Sequence, residues 1–112
     1  PYVQATNQHE VSYLSEAGFT VLHELGLALE SQGYGNVTPE EWIRVVSENT
    51  RADADGYFLS CTNTRMIEAI EELERRLGKP VVSSNQATLW ACLKRLGIAH
   101  QDKRLGRLFS QN

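Results

Sequence analysis

Short apolar strands alternating with amphipathic helices predict an α/β domain, a parallel sheet flanked by helices. Two observations carry this prediction. Gly56 to Ser60 and Val81-Val82-Ser83-Ser84 are continuous apolar runs, too short for helices and lacking the alternation of a half-exposed strand. After each run the period switches to that of a helix, from Thr62 to Leu77 and from about Asn85 or Gln86 to Leu96.

The first helix is expected from about Asn7 to Ala17, where Val11, Leu14 and Ala17 share a face and Gly18 stops it. Phe19-Thr20-Val21-Leu22 then reads as a buried strand, extended by alternation through His23, Leu25, Leu27 and Leu29 to the turn-prone segment Glu30 to Asn36. The next helix has a clear start, with Thr38 as N-cap, Pro39 at the first helical position and Glu41 closing a capping box. Trp42, Ile43 and Val46 form its apolar side. Met66, Ile70, Leu73 and Leu77 line one face of the helix after Cys61, and Glu71–Arg75 and Glu72–Arg76 are expected as solvent-facing ion pairs. Gly78 and Pro80 end that helix. In the last helix Leu89, Cys92, Leu93 and Leu96 fall on one face, which turns Cys92 toward the core. The tail 98–112 has Leu105, Leu108 and Phe109 as anchors and is expected to pack back over the domain.

With 112 residues the chain is long enough for a single α/β domain with one core. A net charge of −3 argues against nucleic acid or a membrane surface as partner. No apolar run approaches a membrane span and the N-terminus has no signal pattern, so a cytoplasmic location is expected. The two cysteines read as thiols rather than a disulfide framework, and no Cys/His spacing suggests a metal. His9, His23 and His100 are scattered and read as ordinary surface or core residues.

In a parallel sheet, ligands bind beyond the carboxyl ends of the strands. Glu30 to Asn36, Cys61 to Thr64 and Ser83 to Gln86 are the segments so placed. Cys61 follows a strand and precedes an expected helix start, where unpaired N–H groups and the helix dipole favour a thiolate and can hold a carboxylate. The same position also fits a small buried hydrophobe, although polar Ser60, Thr62, Asn63 and Thr64 surround it. Asn85 and Gln86 either cap their helix or bind a ligand, and Ser83 and Ser84 share that ambiguity. No dinucleotide fingerprint, phosphate loop, paired catalytic carboxylates or H-E-x-x-H occurs, so a cofactor-free reaction is expected.

Asp55-Gly56-Tyr57-Phe58-Leu59-Ser60-Cys61-Thr62-Asn63, Leu77 to Trp90 and Gly106-Arg107-Leu108-Phe109 resemble the aspartate/glutamate racemase superfamily, within it the maleate isomerase and arylmalonate decarboxylase branch. The resemblance covers essentially the whole chain and implies one half, the C-terminal one, of a pseudo-twofold α/β enzyme whose missing N-terminal half carries the opposing catalytic group. It implies that Cys61 is the catalytic cysteine of this half. Tyr2 matches a tyrosine that hydrogen-bonds the substrate carboxylate, and the N–H groups of Cys61 and Thr62 match part of a carboxylate-binding hole. Cys61-Thr62-Asn63 and Ser83 to Thr88 are nearer isomerase and racemase-like members than decarboxylases. Ser31 stands where maleate isomerases carry a substrate-binding asparagine. Tyr2, Thr62, Asn63, Ser31 and Asn85 are thus the candidate substrate-binding residues.

The implied activity is a cofactor-independent isomerisation of a small carboxylate or dicarboxylate, with arylmalonate-type decarboxylation as an alternative. A catalytically silent domain that binds anions or self-associates as a homo-oligomer is a further alternative. A thiol redox protein lacks the expected Cys-x-x-Cys pair.

Overall fold

The structure, a computed structural model, describes residues 1–110; Gln111 and Asn112, the end of the expected tail, lie outside the described residues. The chain forms two compact units, residues 1–34 and 35–112.

The first unit is built on helix α1, Gln4–Glu16, which ends just ahead of Gly18. The strand expected from Phe19 onward is not formed: residues 19–30 have no regular secondary structure, and Phe19, Leu22 and Leu25 are exposed. It meets the chain's start through Ala28 N–H to Tyr2 O, 3.1 Å, and Leu29 N–H to Pro1 O, 2.9 Å. Ala28 itself has φ +49°, which interrupts extended geometry. Two such bonds make no ladder, so alternation alone does not hold a strand. Gly26 lies so close to this segment that an added Cβ would stand 2.3 Å from Tyr2 O.

A 3₁₀ segment, Ser31–Asn36, leads to the second unit. Helix α2, Pro39–Glu48, begins as its sequence predicts, with Glu41 N–H donating to Thr38 Oγ1 at 3.2 Å. The other half of the capping box is replaced, because the Glu41 carboxylate pairs with Arg44. Its buried residues are Trp42 and Val45, whereas Ile43 and Val46 are half-buried.

Strands β1, Tyr57–Leu59, and β2, Val81–Ser83, run parallel, with Leu59 opposite Ser83. Leu59, Val81 and Ser83 are buried while Phe58 is exposed, so the sheet's two faces are not covered equally. Between the strands a 3₁₀ turn, Met66–Ala69, precedes helix α3, Ile70–Leu77. Met66, Ala69, Ile70 and Leu73 form the centre of the core. Arg75 pairs with Glu72 rather than with Glu71 as expected, and Glu72 also holds Arg76. The i,i+3 geometry serves as well as i,i+4 here and lets one carboxylate bridge two guanidinium groups.

Helix α4, Ser84–Arg95, follows β2 without a loop. Ser83 caps it in a complete capping box with Gln86. Cys92 is exposed, contrary to the expected inward face, as are Leu89 and Leu96. The helix is anchored by its first turn: Gln86 is its buried residue. The tail does pack back, through 3₁₀ turns Lys103–Leu105 and Arg107–Phe109, with Phe109 2% exposed. A buried carboxylate secures it. Glu74 accepts the N–H of Val81 at 3.0 Å and of Arg107 at 2.8 Å, tying α3 to β2 and to the tail. Among the described residues no helix is long and apolar enough to cross a membrane.

Candidate active site

The parallel register brings Cys61 and the start of α4 together, because β1 and β2 end side by side and both chains leave the sheet at its carboxyl edge. Cys61 is buried, 6% exposed. The expectation that it sits at a helix start is corrected: residues 62–65 form bends, helical structure begins at Met66, and α3 begins only at Ile70. Local polar groups explain the delay. Thr64 Oγ1 donates to Cys61 O at 3.3 Å, and the Asn63 N–H donates to Cys61 Sγ at 3.4 Å. Such side-chain to backbone bonds compete with helix formation. The sulfur therefore meets a nearby backbone donor rather than the end of a helix.

The backbone at Cys61 is itself unusual, with φ +143°, a conformation that costs a non-glycine residue about 1–3 kcal/mol. Contacts from α4 hold it. The Cys61 N–H, assigned by resemblance to a carboxylate hole, donates to Ser84 Oγ at 3.1 Å. Asn85 Nδ2 donates to Thr62 O at 3.0 Å, so Asn85 neither caps α4 nor stands apart from the cysteine loop. Thr88 Oγ1 in turn donates to Ser84 O at 2.8 Å. Thr62 and Asn63 are exposed beside the buried thiol. Cys61, Thr62, Asn63 and Asn85 thus form one cluster within the second unit.

Tyr2 and Ser31 belong to the first unit. Tyr2 is half-buried and its ring meets that of Tyr34 edge-on at 5.8 Å. Ser31 is exposed at the start of its 3₁₀ segment.

Two further residues matter that the sequence reading did not assign. Ser84 was one of several ambiguous polar residues, and no local pattern signals a bond spanning 23 positions. Glu74 sits within a run of charged residues, yet its spacing of four from Ile70 places it on the buried face. Two surface clefts, one bordered by Glu71 and Arg104 and the other by Trp90 and His100, are lined neither by Cys61 nor by the first turn of α4. Among the described residues no group of His, Cys, Asp and Glu is arranged to hold a metal ion.

A buried thiol with a backbone donor, at the carboxyl end of a parallel strand and ringed by polar groups, has the chemistry of proton exchange or nucleophilic addition. Comparison with known proteins agrees with this architecture. The chain is 30% identical to arylmalonate decarboxylase from Bordetella bronchiseptica over 99% of its length and 48% of that protein. It is 26% identical to maleate isomerase from Geobacillus stearothermophilus, over 98% of this chain and 45% of the relative. The chain therefore spans about half the length of the curated relatives it matches. Among solved structures, a doubly substituted arylmalonate decarboxylase in liganded form superposes with a TM-score of 0.91 at 27% identity, covering 99% of this chain and 49% of that one. Another arylmalonate decarboxylase structure gives 0.81 at 28% identity, covering 99% and 50%. The family model for arylmalonate decarboxylase matches residues 1–109, and the chain belongs to that family.

Proposed function

We propose that this chain supplies the Cys61-bearing, C-terminal half of a cofactor-independent enzyme acting on a small carboxylate or dicarboxylate. The observation that carries the reading is the position of Cys61, buried at the end of β1 with the Asn63 N–H directed at its sulfur. The leading reaction is cis–trans isomerisation of a maleate-like dicarboxylate. There a thiolate of the other half adds to the alkene, and the Cys61 thiol gives its proton to the neighbouring carbon. Rotation follows about the resulting single bond, and Cys61 takes that proton back as the carbon–sulfur bond breaks, releasing the trans alkene and the first thiolate. Thr62 and Asn63 border the substrate and Asn85 shapes their loop, while Tyr2 and Ser31 are substrate-binding candidates by resemblance alone. The polar sequence Cys61-Thr62-Asn63 and the maleate isomerase relatives support this reading.

Decarboxylation has its own support in the family model and in the arylmalonate decarboxylase relative. In that reaction carbon dioxide departs, the electron pair is held as an enediolate, and the Cys61 thiol delivers the proton to one face of the planar carbon. The two reactions differ in product. Incubating the full-length protein separately with maleate and with an arylmalonate, and following fumarate and carbon dioxide, discriminates them. Fumarate formation alone is the expected result; carbon dioxide release alone replaces isomerisation with decarboxylation. No turnover of either compound, nor racemisation of an acidic amino acid, would leave the chain a silent anion-binding domain.

A further inference from the structure

We propose that Ser84 and Asn85, the first two residues of α4, brace the Cys61 loop, with Ser84 as the positioning residue that fixes the thiol. Four contacts surround the positive-φ cysteine. Its N–H is held by Ser84 Oγ, its carbonyl by Thr64 Oγ1, its sulfur by the Asn63 N–H, and the next carbonyl, that of Thr62, by Asn85 Nδ2. Strained backbone of this kind persists only where neighbours over-determine it. Two of these contacts are local to the loop. The other two come from the first two residues of α4, whose own position is fixed by the Ser83–Gln86 capping box and by Gln86 Nε2 donating to Leu105 O. The orientation of the thiol is thus set from a helix that begins 23 positions later in sequence.

With its N–H directed to Ser84 Oγ, the Cys61 amide has a partner within the chain itself. The brace extends the reading of Cys61 as the working thiol, but its first test does not require turnover. In the full-length protein, iodoacetamide labelling at about pH 10, where free thiols are ionised, is followed by mass spectrometry of the Cys61 and Cys92 peptides. Cys92, exposed on α4, serves as the reference.

Ser84→Ala is expected to speed Cys61 labelling by about fivefold, the equivalent of one lost hydrogen bond, with Cys92 unchanged. Its kcat falls while KM stays within about twofold. Ser84→Thr, which keeps the hydroxyl, restores both. Should Ser84→Ala fail to fold, Asn85→Ala carries the same labelling expectation through its contact with the Thr62 carbonyl. Unchanged Cys61 labelling in whichever variant folds, or failure of Ser84→Thr to restore it, overturns the proposal. Normal turnover by Cys61→Ala would instead refute the catalytic reading, while the labelling result still decides the brace.

Discussion

Gly106 shows how a single residue outside the site supports it. Its φ is +75°, and a Cβ there would stand 2.6 Å from Ile70 Cγ2, 3.0 Å from Glu74 Oε2 and 3.1 Å from Gln86 Nε2. Strain and overlap act together against any side chain. Gly106→Ala is expected to destabilise the protein by at least about 2 kcal/mol, read as a lowered denaturant midpoint with an unchanged slope. Gln86→Leu tests the neighbouring contact. It removes the acceptor for the Ser83 N–H and the donor to Leu105 O inside a fully buried site, with an expected loss of about 2–4 kcal/mol by the same measurement. The place of Cys61 at the end of β1 was legible from sequence because an apolar run ending in a thiol and followed by polar residues is a local pattern. The Ser84 contact was not, since hydroxyl-to-amide bonds between distant segments depend on strand register. Glu74 was legible in principle through its spacing from Ile70, but the charged run around it reads as solvent-facing.

At the scale of elements, starts defined by short-range chemistry were legible and those decided by partners were not. Thr38-Pro39 marked the beginning of α2 because the cap and the fixed proline φ act within four residues. The run from Phe19 to Leu29 carried strand alternation, but among the described residues no strand pairs with it and it stays irregular. The stretch after Cys61 carried helical periodicity, yet Asn63 and Thr64 bond back to the cysteine and postpone the helix to Met66. Helix α3 also gives a pH prediction. Hydrogen bonds from Arg75 and then Arg76 hold the Glu72 carboxyl at about 2, below its ordinary 4.5. A folded-state value below the unfolded one stabilises above the unfolded value, and that contribution fades as pH falls from 4.5 toward 2. The pairs are exposed, so the effect is small and screened by salt. Glu72→Gln is therefore expected to flatten the acid limb of the stability profile slightly at low ionic strength, and high salt should erase the difference from the parent.

Across the whole molecule, each unit exposes large apolar side chains, including Phe19 and Leu25 in the first and Phe58, Leu96 and Ile98 in the second. For the 112-residue chain taken alone, concentration-dependent self-association is expected in sedimentation velocity. A constant monomeric sedimentation coefficient across the accessible concentration range would show that these side chains do not mediate assembly. The α/β class was legible at this scale because strand–helix alternation is repeated, whereas the division into two units follows from contacts that composition does not encode.

Turnover of full-length Cys61→Ala beside the parent decides whether the Cys61 thiol exchanges the proton in the proposed reaction. A fall in kcat of at least about a thousandfold with the fold intact is expected, the scale seen when a reacting group is removed. Turnover within about twofold of the parent, on the substrate that the parent converts, would contradict it.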